Sequence, residues 1–248
     1  MYIFLKNLIK NLIPAKMLFA TEPAFRSAYY NLFYKGEQFR CNVCAKKLKQ
    51  FIPTENDLLC PYCGSLARTR RLWQIVNQDI IKPGMAILDF SPSRSFYRAM
   101  KKKEDISYYP SDLSGDFISE YQFDITAINM PDNSFDLIIC YHILEHIEND
   151  ILAIRELYRV LKPGGTLLVQ TPFKTGDIYE DYSICSPEER KKHFGQEDHV
   201  RIYSPDSLLI RIKNNNFEVK LETYTESQEN LSGFQANERV LHCKKLKI

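Results

Sequence analysis

Four cysteines stand in two Cys-x-x-Cys pairs, Cys41-Asn-Val-Cys44 and Cys60-Pro-Tyr-Cys63, with fifteen residues between the pairs. Each such turn aims two sulfurs at one point. Two turns brought together by short strands therefore offer four thiolates in the tetrahedral set that suits zinc. Gly64, directly after Cys63, fits the tight turn such a knuckle needs. With four ligands and no open position, the expected ion is structural, supplying folding energy to a piece too small for its own core. A second chemical group follows Phe135-Asp-Leu-Ile-Ile-Cys140, where the chain reads Cys140-Tyr141-His142-Ile-Leu-Glu145-His146. Helical spacing would put His142, Glu145 and His146 on one side of a turn, where each is either a proton acceptor or structural support. A third runs His193-Phe-Gly-Gln-Glu197-Asp198-His199-Val-Arg201-Ile-Tyr203. It suits a polar or anionic acceptor, with His199 the better base and Tyr203 beside it; a solvated charged loop is the competing reading.

The elements that must position these groups follow from periodicity. Leu5, Leu8, Ile9, Leu12 and Ile13 recur at helical spacing with Lys6, Asn7, Lys10 and Asn11 opposite, and Pro14 ends the pattern. Residues 2–13 thus read as a basic amphipathic helix, which packs on the protein itself or makes peripheral contact with an anionic membrane. Residues 20–39 carry Phe25, Tyr29, Tyr30, Phe33 and Tyr34 and read as a second helix. A helix from Ser65 to Val76 leaves the ribbon with Arg68, Arg70 and Arg71, a set that could grip an anion or pair with nearby acids. Lys82-Pro83-Gly84 marks the boundary.

From Met85 onward strands and helices alternate, which predicts a parallel sheet with helices on both faces. Expected strands are 86–90, 106–110, a short third at Phe123-Asp124-Ile125, 135–140 and 166–171. Helices are expected at 93–103, 149–161 and near 205–214. Two late strands, 217–224 and 238–243, lack an intervening helix and suggest an antiparallel finish. Met85-Ala-Ile-Leu-Asp89-Phe90-Ser91-Pro92-Ser93-Arg94-Ser95 is the organising stretch: a strand, a turn of small residues and a helix N-terminus, where a ligand can meet backbone N–H groups.

Bulk properties set bounds. The 248 residues carry 44% hydrophobic and 26% charged side chains, as a globular protein does. The net charge of +2 hides an asymmetry: residues 1–71 hold twelve Lys/Arg against four Asp/Glu, while the remainder is −6. Any anionic partner is expected at the N-terminal part. Seven cysteines, four of them in metal-type pairs, speak for a reducing compartment and against a disulfide framework. Lys6 and Lys10 interrupt the apolar start, and no stretch reaches the roughly 18 apolar residues of a spanning helix, so a cytoplasmic location is expected. Cys140, Cys185 and Cys243 show no partner pattern.

Six motifs in order, Ile87-Leu-Asp89, Asp112, Phe123-Asp124-Ile-Thr126, Asn133-Ser-Phe-Asp136-Leu-Ile-Ile, Leu144-Glu145-His146-Ile147 and Val160-Leu-Lys-Pro-Gly-Gly165, resemble a class I S-adenosylmethionine-dependent methyltransferase of the type 11 group. The likeness covers residues 80–172 well and the C-terminal third loosely; the N-terminal zinc ribbon resembles one bacterial branch of it. The resemblance implies a Rossmann-like, doubly wound sheet, mostly parallel with an antiparallel last strand. It divides the chain into a helical segment at 1–39, a ribbon at 40–70 and the methyltransferase domain at 71–248, with a substrate-capping insertion at about 173–204.

The resemblance also implies that S-adenosylmethionine lies against Asp89, Phe90, Ser91 and Ser93, Asp112 and Leu113, Asp124 and Ile125, and Cys140 and Tyr141. Asp112, 23 residues beyond Asp89, would accept hydrogen bonds from both ribose hydroxyls. Asp124 would receive the adenine amino group, the Ile125 N–H would meet a ring nitrogen, and Asp89 would orient the methionine end. The departure lies in the turn, where Ser91, Ser93 and Ser95 occupy places the family gives to Gly, a residue favoured for positive φ and close backbone approach. In quinone O-methyltransferases a stretch like 142–146 has two glutamates and a histidine that hold a divalent cation; with His142 in the first position, metal is not expected at this site. The expected activity is methylation of oxygen or nitrogen on a small-molecule or glycan- or lipid-intermediate acceptor. Two alternatives stay open: an RNA methyltransferase that uses the basic N-terminal part as its grip, and a non-catalytic interaction module retaining the fold.

Overall fold

In the run Phe135-Asp-Leu-Ile-Ile-Cys-Tyr141 five residues are fully buried, the mark of a strand covered on both faces. It is the centre of the sheet. The computed structural model describes residues 15–55, 57–226 and 229–246; the expected amphipathic helix at 2–13 lies outside them. In chain order the elements are α1 (Ala15–Phe33), β1 (Lys35–Arg40), β2 (Lys47–Leu48), β3 (Ile52–Pro53), β4 (Leu58–Leu59) and α2 (Ala67–Gln74), which continues as a π-turn over Ile75–Ile80. Then come β5 (Ala86–Phe90), α3 (Arg94–Met100), β6 (Ser107–Ser111), β7 (Phe135–Tyr141), α4 (Asp150–Val160) and β8 (Leu161–Gln170). β9 (Tyr179–Glu180), α5 (Pro187–Phe194), β10 (Arg201–Ile202), α6 (Pro205–Lys213), β11 (Phe217–Tyr224) and β12 (Glu238–Lys245) complete the chain.

Chain contacts divide it into two units. The first takes the chain up to Ile80, Ser93–Ala99 and Glu226–Ala236; the second takes Ile81–Pro92, Met100–Thr225 and the chain from Asn237. In the first, the β1–β2 and β3–β4 pairs carry the cysteine turns, and Tyr30, Leu48 and Phe51 pack around Cys41 and Cys60. Asp57 closes this small unit: its Oδ1 accepts the N–H of Ala67 at 2.8 Å, capping α2, which has no side-chain cap at Leu66. Helix α1 ends at Phe33 and residues 35–40 form a strand, against the helix expected to reach residue 39. Gly36 explains the break, since its Cβ position would fall 2.7 Å from the backbone of Lys49 and only glycine permits so close a pairing.

The arginine set of α2 is structural at its centre. Arg70 is wholly buried and donates to the carbonyls of Leu58 and Ser65, and to those of Ser232 and Gly233 from the β11–β12 loop. Arg71 is buried with its guanidinium 3.9 Å from the Phe234 ring. The Arg70 guanidinium is taken up by four carbonyls, so the anion-gripping alternative fails for this residue; Arg68 is the exposed member.

In the second unit six strands run in the order β11-β12-β8-β7-β5-β6. β6, β5, β7 and β8 are parallel, and β12 and β11 are antiparallel, as the missing helix between the last two strands requires. The fold is α/β and Rossmann-like. Asn149 caps α4 by accepting from the Leu152 N–H at 3.1 Å, and α4 presents Ala153, Ile154, Leu157 and Val160 to the core with Leu167, Leu208 and Ile212. Ser204 and Ser207 form a capping box that starts α6, with Pro205 in its first turn.

The third strand expected at 123–125 is not formed; the only pairing there is an isolated bridge between Ser111 and Tyr121. Asp124 Oδ1 instead takes the N–H and hydroxyl of Thr126, at 2.8 and 2.7 Å, and this local turn competes with a ladder. The first helix after the turn is shorter than expected, ending at Met100, and β8 begins at Leu161 immediately after α4 rather than at residue 166.

Candidate functional site

The thiolate cluster is the simpler of two sites. Cys41 Sγ lies 3.7 Å from Cys63 Sγ and Cys44 Sγ lies 3.9 Å from Cys60 Sγ, and all four sulfurs fall within 4.8 Å of one another. Sulfurs at about 2.3 Å from a tetrahedral ion sit about 3.8 Å apart, whereas a disulfide needs about 2.05 Å. The four free thiols therefore fit one soft ion and no disulfide. Gly64 takes φ +78° and its N–H bonds the Cys60 carbonyl at 3.0 Å, closing the second knuckle.

The second site is built at the carboxyl edge of β5, β6 and β7. Asp89 is buried, and its Oδ2 accepts the Tyr108 hydroxyl at 2.7 Å. Burial pushes its carboxyl up to about 7, with the Tyr108 hydrogen bond pulling the other way. Tyr108 was not legible as a site residue. The signal was available in the register: Pro110 of β6 pairs with Asp89, and two residues earlier on a strand lies the same face.

Ser91 adopts φ +49°, so the first serine of the turn does occupy the left-handed conformation for which glycine is favoured. Its hydroxyl donates to Asp112 Oδ1 at 2.7 Å. The other carboxylate oxygen of Asp112 accepts from the Ser114 hydroxyl at 2.9 Å and the Gly115 N–H at 2.7 Å, with the Phe117 N–H at 3.3 Å. A short loop thus holds the acid at the tip of β6 as a hydrogen-bond acceptor. Phe90 and Ile125 are buried in the core cluster with Cys140, while Leu113 and Asp124 are exposed and Tyr141 is half-buried at the end of β7. Ser93 does not share Ser91's positive φ; it belongs to the first unit, where its Oγ is 3.5 Å from Thr69 Oγ1 and 3.4 Å from Ser95 Oγ.

Beyond Tyr141 the expected helical turn is partly formed. His142 is left-handed, φ +57°, and only Leu144–His146 makes a single 3₁₀ turn. His142 Nδ1 lies 3.3 Å from Glu145 Oε1. The insertion then supplies the other wall. The Val200 N–H bonds the Glu145 carbonyl at 2.9 Å, and Arg201, wholly buried, reaches the carbonyls of Leu144, Ile147 and Glu148. This staple seats His199 against His146, ring centroids 4.6 Å apart, with one donor atom each of Glu145, His146 and His199 within 4.8 Å of the others. Burial, and then the neighbouring His146, depress the His199 imidazole below its usual value.

Tyr203, expected beside His199 as a candidate base, is instead in the interior. Its phenol donates to Asp150, which also receives Arg211 at 2.7 Å, and burial drives its pKa well up. It is structural here, because a phenol wholly removed from solvent and bound to a carboxylate has no acceptor to deprotonate. Arg201 and Asp150, which organise this wall, were missed: in sequence a buried arginine in a charged run looks like a solvated one.

These observations meet three comparisons. The family described as methyltransferase domain matches residues 75–169, which start at Ile75 and end inside β8. A sterol 24-C-methyltransferase of Kluyveromyces lactis is 28% identical over 201 residues, covering 78% of this chain and 50% of that protein, so the chain spans about half the length of this curated relative. A S-adenosylmethionine-dependent methyltransferase from Archaeoglobus fulgidus superposes with a TM-score of 0.52 at 16% identity, over 72% of this chain and 93% of that one. The phosphoethanolamine N-methyltransferase 2 of Haemonchus contortus in complex with S-adenosyl-L-methionine gives 0.52 at 15% identity, over 72% and 52%. The β6-β5-β7-β8 core and the matched residues agree: residues 75–169 carry a methyltransferase domain, and the chain has the class I methyltransferase fold.

Proposed function

We propose that this protein binds S-adenosylmethionine at the carboxyl edge of β5, β6 and β7 and transfers its methyl group to oxygen or nitrogen of a small-molecule or lipid- or glycan-intermediate acceptor. The observation that carries this is the Asp112 carboxylate, held at the tip of β6 by loop donors where a ribose would present its two hydroxyls. When bound, the cofactor supplies the electrophilic methyl. Asp112 and Asp89 would hold its ribose and methionine ends, and Asp124 with the Ile125 N–H its adenine. The chain's remaining task is to hold the acceptor in line and take its proton, and Glu145, His146 and His199 stand together for that. The sterol and phosphoethanolamine acceptors named in the relatives are consistent with a lipid-type substrate.

Isothermal titration with S-adenosylhomocysteine tests the reading: micromolar binding by the native chain, lost in Asp112→Ala, is expected. No heat at saturating ligand sinks it. The second reading, a non-catalytic module, is favoured by one observation: Ser91 and the loop already satisfy both Asp112 oxygens. The same titration separates the two. The RNA reading loses support because Arg70 and Arg71 are buried in protein contacts; salt-sensitive RNA binding in a gel shift would restore it. We further propose that Cys41, Cys44, Cys60 and Cys63 hold a structural zinc, to be read as one zinc per chain by elemental analysis and its loss in Cys60→Ser. The seven free cysteines accord with a cytoplasmic location.

A further inference from the structure

The geometry points to a divalent-cation site made by Glu145 and His146 from the turn after β7 together with His199 from the insertion. One donor atom from each residue lies within 4.8 Å of the other two. A divalent transition metal with imidazole and carboxylate ligands at about 2.0–2.2 Å is reached from there by small side-chain rotations.

The tautomers fit this assignment. His146 Nδ1 lies 3.0 Å from Asp198 Oδ2, and His199 Nδ1 lies 3.2 Å from the Phe194 carbonyl oxygen. A carboxylate and a carbonyl can only accept, so each Nδ1 carries the proton and each Nε2 keeps its lone pair. A histidine whose far nitrogen donates to a carboxylate or backbone carbonyl is the outer-shell arrangement of metal-binding imidazoles. Glu145 supplies the third observation. Its residue is 1% exposed, and neither carboxylate oxygen has a hydrogen-bond partner among the described residues, although His142 Nδ1 approaches one of them at 3.3 Å. A buried carboxylate whose nearest donor, His142 Nδ1, stands 3.3 Å away is poorly compensated, and a cation between it and the two rings would supply what is missing.

The donors differ from what the turn alone provides. His142 stays outside the set, and the third ligand comes from the loop before β10, 53 residues beyond His146, brought in by the Val200 and Arg201 staples. Two nitrogens and one oxygen form an open coordination sphere, and His146 retains 28% side-chain exposure. The positions left over suit an acceptor oxygen, whose proton a bound cation makes easier to lose. That role rests on the methyltransferase reading; cation binding itself does not.

The test uses the full chain with its thiolate site filled by zinc, titrated with Co2+. One Co2+ per chain is expected, showing d–d absorption without a thiolate-to-metal charge-transfer band. The absorption should vanish in Glu145→Gln and His199→Gln, with S-adenosylhomocysteine binding and far-ultraviolet circular dichroism retained. Asp198→Asn, on an exposed side chain, should weaken Co2+ binding about tenfold and guards against misfolding of the other two. Absorption unchanged in the variants, a spectrum carrying thiolate charge transfer, no absorption at saturating Co2+, or unaltered affinity in Asp198→Asn overturns the site. Cobalt binding without S-adenosylhomocysteine binding would leave the cation site standing and remove the proposed activity.

Discussion

At the scale of single residues, Asp89 and Ser91 show how the turn departs from a glycine-rich one. Asp89 is raised to about 7 by burial, against about 3.8 in an unfolded chain. The folded protein therefore holds a proton there that the unfolded chain has released, and stability falls as pH rises from about 4 to about 7, then levels. Urea denaturation at pH 5 and pH 8 should show a loss on the order of 2–4 kcal/mol from this group, and Asp89→Asn should flatten it; an unchanged slope in the variant assigns the pH dependence elsewhere. A cationic methionine end favours the ionised carboxylate, so cofactor affinity should rise between pH 6 and 8, with proton release measurable in buffers of different ionisation enthalpy. Ser91→Gly removes a left-handed serine, worth about 1 kcal/mol, and frees Asp112 Oδ1. If ribose hydroxyls replace the serine as donors, the variant binds S-adenosylhomocysteine more tightly; weaker binding would mean that the Ser91 hydroxyl is itself a ligand.

Among the elements, the insertion is held by buried charge. Arg201 joins Glu180 at 2.9 Å to three carbonyls of the 144–148 turn, and Arg211 joins Glu180 to Asp150. Arg201→Ala should cost about 3–5 kcal/mol, because it leaves buried acceptors and a carboxylate without their donor; a loss under about 1 kcal/mol in chemical denaturation would show the staple to be dispensable. This level also marks where sequence reading stopped. The strands β5, β7, β11 and β12 were legible because apolar runs and turn residues are local signals. The failed strand at 123–125 and the interior position of Tyr203 were not, since both are decided by partners distant in sequence or by a side-chain turn that outcompetes the ladder. The cysteine pairs were readable to the residue, while Tyr108 and Arg201, which brace the acids and the turn, carry no motif.

For the molecule as a whole, the two units exchange chain: residues 226–236, between β11 and β12 of the sheet, belong to the N-terminal unit. Gly233 makes this possible with φ +61° and a Cβ position 2.6 Å from the Phe51 ring. Gly233→Ala should destabilise that unit by about 1–3 kcal/mol, seen as faster hydrogen exchange across residues 29–80 and faster release to a chelator of the zinc proposed for the four cysteines; unaltered rates would show that the loop is not needed there. The Arg70 clamp on Ser232 and Gly233 adds a consequence for biosynthesis. On a ribosome the cysteine knuckles emerge first, yet two of the carbonyls that receive Arg70 lie 162 and 163 residues further along the chain. The N-terminal unit therefore waits, with a buried-to-be guanidinium still hydrated, until Ser232 and Gly233 have been made, and long-range closure of this kind is slow. Nascent chains stalled before residue 230 should carry a protease-sensitive cysteine unit that becomes resistant once Ser232 and Gly233 have emerged.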